Sequence, residues 1–134
     1  MKTGKVKLLH RDYPLPQHQY SRLAARYANA AGRLGYYDAA VEQIFKTQGI
    51  WEKDGAIDRQ LVAVLPAGVL QKVRQAAVSD ASLDQTVAAD IAQGARDGLN
   101  QTPSMVVVAN GKRQLIPGVP AMTLLKSYID DLLK

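Results

Sequence analysis

Cysteine is absent from the 134 residues. By itself the chain can close no disulfide, offer no thiolate nucleophile and bind no metal through cysteine. Histidine is nearly as scarce, and neither His10 nor His18 sits in a carboxylate pattern that spells a metal site. Apolar runs stay far short of the roughly 18 residues that span a bilayer, so no membrane segment is expected. The opening MKTGKVKLLHRDYPL lacks the apolar stretch and small-residue cleavage site of an export signal. There is no phosphate-binding glycine loop and no Gly-X-Ser-X-Gly elbow, which leaves Ser104 without the context of a nucleophile. No catalytic residue, metal or other cofactor is implied by these motifs.

What is present suits one folded domain. A hydrophobic fraction of 47% against 22% charged residues is ordinary for a globular chain and sets disorder aside. The formal net charge is +5, but the basic residues are scattered from Lys5 to Arg113 with no run interleaved with aromatics. That pattern is a solvated basic surface and gives no reason to expect nucleic acid as a partner.

Residues 5–12, KVKLLHRD, alternate Val6, Leu8 and His10 against Lys7, Leu9 and Arg11, which predicts a strand closed by the prolines of YPLPQH. Helical spacing follows over 19–34, with Gly35 as its stop, and over 37–47, ended by Gly49. Trp51 reads as a core anchor in a polar connection. Asp58 is placed to cap a short helix through Leu65, Pro66 to start the next, and Ser82 with Gln85 to form a capping box. The helix after that box carries Leu83, Val87, Ile91 and Ala95 as its apolar stripe, and Asp80, Asp84 and Asp90 compensate its dipole. SMVVVA, Asn110-Gly111 and KRQLI then make a β-hairpin, and Pro120 opens a last helix with Met122, Leu125, Ile129, Leu132 and Leu133 on one face. Strand, helices, hairpin and helix add up to an α/β domain with a thin sheet. Pro103 is the puzzle, because it stands at the mouth of an apolar strand where a missing N–H is a liability.

Two stretches carry a family resemblance. GKVKLLHRDYPLP resembles the strand and loop that follow the active-site helix of DsbA-like thioredoxin-fold proteins, and DIAQGARDGLNQTPSMVVVANGKRQLIPGVPAMTLLKSYIDDLL resembles the C-terminal half of that family. The helices between are similar to the family's helical insertion. The resemblance implies one incomplete thioredoxin-like domain over residues 1–134, with 18–100 as the insertion, in a family of thiol-disulfide oxidoreductases that is typically periplasmic or extracytoplasmic. This chain's own compartment stays open. It also implies a cis bond before Pro103, with residues Gln101, Thr102, Pro103 and Ser104 facing a groove for an extended peptide. Gln101 replaces the family's usual glycine, and Val106 and Val107 replace aromatics, so a shallower groove is expected.

The family's chemistry resides in a Cys-X-X-Cys pair at a helix N-terminus, and this sequence has no counterpart of that pair or of the strand before it. Two readings follow: a truncated or inactive oxidoreductase, or a non-catalytic module that binds an extended peptide or protein along the Pro103 strand edge. The missing strand is central in the family's sheet. Its place is expected to be filled by the 5–12 segment pairing directly with 105–109, by a second copy in a homodimer, or by a separate polypeptide.

Overall fold

Alanine sets the first helix. In α1 (Ser21–Gly32) the buried residues are Ala24, Ala25, Tyr27, Ala28, Ala30 and Ala31, so most of its inward face carries no more than a methyl group. Neighbouring helices can approach closely, and α2 (Tyr37–Lys46) and α5 (Ala67–Ser79) both pack on it. The computed structural model describes residues 4–134. It divides into two compact units, Met1–Asp90 and Ile91–Lys134.

In the first unit, α3 (Gln48–Trp51) and α4 (Ile57–Leu61) lie between α2 and α5, and α6 (Ala81–Arg96) runs on from it. Ile57, Leu61, Val73, Leu83 and Val87 are its largest fully buried side chains. Each withdraws apolar area from water at roughly 25 cal/mol per Å2, a contribution that local helix propensity does not match. Trp51 is buried as expected, and its indole N–H donates to the Ile44 carbonyl at 2.8 Å.

Several local expectations are corrected. Residues 5–12 form no strand: they carry no ladder, because the sheet among the described residues has two strands and neither pairs with them. Alternation alone does not make a strand when no neighbour takes up the backbone groups, and so direct pairing with 105–109 does not occur. Gly49 lies inside α3 and does not end a helix there. Asp58 sits in the first turn of α4, where its carboxylate accepts from Arg74 Nε at 2.8 Å and leaves the terminus without a side-chain cap. At α6 the cap is Asp80, whose Oδ1 accepts from the Ser82 amide at 2.9 Å and from the Ser82 hydroxyl at 2.5 Å. The carboxylate outcompetes the neutral hydroxyl for the helix N–H groups, which carry the positive end of the dipole. The buried stripe of α6 runs through Leu83, Val87, Asp90 and Gly94; Ile91 is half-buried and Ala95 exposed.

The second unit holds the hairpin of β1 (Ser104–Ala109) and β2 (Lys112–Pro117), antiparallel from Ser104↔Pro117 to Ala109↔Lys112. Asn110 and Gly111 have φ of 51° and 73°, the left-handed pair that a two-residue turn needs to match strand twist. The last helix, α7 (Met122–Leu132), buries none of its residues; Leu125, Ile129 and Leu132 are half-buried while Met122 and Leu133 are exposed. Pro120 lies two residues before it. No helix is long and apolar enough among the described residues to cross a membrane.

Candidate functional site

The loop that carries the predicted site starts from a helix stop. After α6, Gly98 adopts φ of 78°, the Leu99 amide donates to the Gly94 carbonyl at 2.9 Å and the Gly98 amide to Ala95 at 3.1 Å. This left-handed closure satisfies the last carbonyls of the helix and turns the chain out. Beside it Asp97 takes a two-pronged ion pair from Arg113 of β2, Nε and Nη2 each 2.6 Å from a carboxylate oxygen, plus Gln93 Nε2 at 3.1 Å. Hydrogen bonds from Arg113, then from Gln93, hold the Asp97 carboxyl down to about 2. The helix end and the second strand are thereby pinned together on either side of the loop.

Gln101, Thr102 and Pro103 are exposed and Ser104 is half-buried. The Thr102–Pro103 peptide bond is cis. The Ser104 hydroxyl donates to the Gln101 carbonyl at 2.8 Å, closing the loop on itself, and the Gly118 amide donates to the Pro103 carbonyl at 2.9 Å. Antiparallel partners alternate between pairs that exchange both main-chain bonds and pairs that exchange none. With Pro103 and Gly118 bonded, the bonded residues of β1 are Met105, Val107 and Ala109, and the N–H and C=O groups of Ser104, Val106 and Val108 point away from β2. No backbone group among the described residues meets them. Pro103 therefore costs the hairpin nothing: it stands one position ahead of the ladder and contributes only its carbonyl.

A second cluster lies in the first unit and was not legible as a group. The Asp12 amide donates to Asp90 Oδ2 at 3.0 Å, Arg11 Nη1 lies 2.8 Å from Asp90 Oδ1, and Asn29 Nδ2 donates to Asp12 Oδ2 at 2.6 Å. His10 Nε2 is 3.8 Å from Asp12 Oδ1, and its ring meets the Tyr37 ring edge-on at 5.8 Å. Both carboxylates are buried. Burial raises the Asp12 carboxyl above its usual range against the pull of Asn29 and His10, and burial with Asp12 and Asp90 nearby raises the Tyr37 phenol. Asp90 is thus no dipole compensator, because it lies mid-helix and anchors the Arg11-Asp12 segment. Every fully buried side-chain polar atom among the described residues has a partner, so the cluster reads as a clamp that ties the Arg11-Asp12 segment to α6 and α1. Asp80 and Asp84 are likewise engaged, by Arg33 and by Arg22 and Arg26. No group of three or more metal-ligating side chains forms among the described residues.

A thioredoxin family model matches residues 1–130. The chain belongs to the thioredoxin family. No curated protein and no solved structure matches it. Membership places this sequence in a family built on a sheet with flanking helices, and the observed hairpin, its preceding loop and the helices conform to that α/β class. With cysteine absent, this thioredoxin-family chain has no thiol with which to attack a disulfide.

Proposed function

We propose that this chain is a cysteine-free, DsbA-like member of the thioredoxin family that binds an extended polypeptide by strand addition along the outer edge of β1, with the 101–104 loop at one end of the groove. The DsbA-like placement is supported by the Arg11-Asp12-Tyr13-Pro14-Leu15 turn, the Thr102-Pro103-Ser104 loop and the helices between them. Thiol-disulfide exchange is not part of the reading, for want of a thiol. The observation that carries it is the row of three outward-facing residues, Ser104, Val106 and Val108, whose main-chain groups have no strand opposite them among the described residues. An added strand would bond all three, and side chains on alternate positions would lie beside Val106 and Val108.

Fluorescence anisotropy with labelled extended peptides, selected on a peptide array at dilute protein, tests the reading. Val106→Pro removes one outward N–H and spares every bond to β2. Losing that bond and part of the edge is expected to weaken binding about tenfold, and Pro103→Ala is expected to weaken it as well. Unchanged affinity in both variants would remove the edge from consideration.

A further inference from the structure

The two outer edges of the hairpin are not alike. β2 reads KRQLIP, with Lys112 and Arg113 at one end and Pro117, which has no N–H, at the other. Charge and proline are the usual means by which an edge strand avoids unwanted pairing. β1 reads SMVVVA: no charge, no proline and, since the register runs without a break through all six pairs, no bulge. Among the described residues one edge is guarded and the other is open.

We propose that the open edge is filled by the same edge of a second copy, β1 pairing antiparallel with β1 about a two-fold axis at Val106. This rests on the reading above that the edge accepts a strand, and it names the strand. In that register Val106 faces Val106 of the partner subunit and Ser104 faces Val108 of the partner subunit. Every outward N–H and C=O of β1 is then bonded, because the outward set 104, 106 and 108 is symmetric about its own middle. The side chains across the seam are a serine and valines, so no like charges oppose one another. Val108's cross-strand neighbour Arg113 is already neutralised by Asp97. The result is a four-stranded sheet with the guarded β2 strands outermost, which closes the assembly at two copies and gives no template for a fibre. Main-chain pairing over five residues falls below the roughly 800 Å2 per partner of a stable interface, so a concentration-dependent dimer is expected.

Light scattering on the full chain across a concentration series is expected to show the mass rising toward twice the 14.6 kDa of one copy. Because the chain has no cysteine, a single introduced thiol is unambiguous. A bonded antiparallel pair holds its Cα atoms about 5.5 Å apart, inside disulfide range, so Val106→Cys is expected to cross-link into a dimer on mild oxidation while Gln114→Cys on β2 does not. Val106→Pro, with unchanged circular dichroism, is expected to stay at the mass of one copy. A constant single-copy mass, cross-linking as efficient at 114 as at 106, or growth beyond two copies would each overturn the self-pairing. If a single-copy chain still binds extended peptides and loses them in Val106→Pro, self-pairing alone has failed; if it binds none, the edge reading fails with it.

Discussion

The amide of Gly118 donates to the carbonyl of Pro103 at 2.9 Å, and this bond sets the phase of everything along β1. Were the ladder shifted by one residue, Met105, Val107 and Ala109 would present their main-chain groups outward and the edge would be a different surface. The relationship also explains why a proline is tolerated here, since its carbonyl is used and its missing donor is not.

The turn that sustains this register depends on two left-handed residues. Gly111→Val places a β-branched side chain at φ of 73° and is expected to cost the hairpin about 1–2 kcal/mol or more. Amide exchange in β1 should speed up accordingly, with little change in the first unit's helices. Equal destabilisation of both units would show that the turn matters less locally than argued.

Core truncation in the first unit has a larger effect. Leu61→Ala and Leu83→Ala, at side chains fully buried among the helices, are expected to lower stability by about 2–5 kcal/mol each. Leu124→Ala, at a 70% exposed position on α7, should stay within about 0.5 kcal/mol. Urea denaturation followed by circular dichroism measures all three. A large loss at Leu124 would reveal a covered face on α7.

Acid separates two carboxylates. The folded-state pKa of Asp97 is depressed, so the stability it contributes is present above the ordinary carboxylate range and is lost as pH falls toward about 2. Asp12 has the opposite sign: burial raises its folded pKa, so its contribution is present at low pH and declines as pH rises through the raised value. Carboxyl-carbon NMR titration is expected to place Asp97 well below Asp12, and Arg113→Ala should return Asp97 toward about 4. An Asp12 midpoint below that of Asp97 would contradict the assignment.

The parts of this fold that were legible in the sequence are those decided locally. Asn110-Gly111 announces its turn because few other residues accept that backbone, and the helices declare themselves through apolar spacing. Ser82 with Gln85 satisfies the capping pattern two residues past the true cap of α6, and nothing local distinguishes it from Asp80, whose carboxylate takes the Ser82 amide in the folded chain. The strand expected at 5–12 failed for a different reason, since strands are made by their neighbours and alternation carries no record of whether one exists. Asp12 and Asp90, 78 positions apart, meet only through tertiary packing, so no local signal could have joined them. At the candidate edge, the loop residues were legible from the Thr-Pro-Ser motif, while the outward set of Ser104, Val106 and Val108 needed the Pro103–Gly118 bond.

Residue-resolved hydrogen exchange along β1 tests the open edge most directly. At low protein concentration the amides of Met105, Val107 and Ala109 should exchange about tenfold or more slowly than those of Ser104, Val106 and Val108, and raising the concentration or adding a bound peptide should slow the second set. Equal protection of both sets in the dilute protein, or an outer set indifferent to concentration and peptide, would contradict the account.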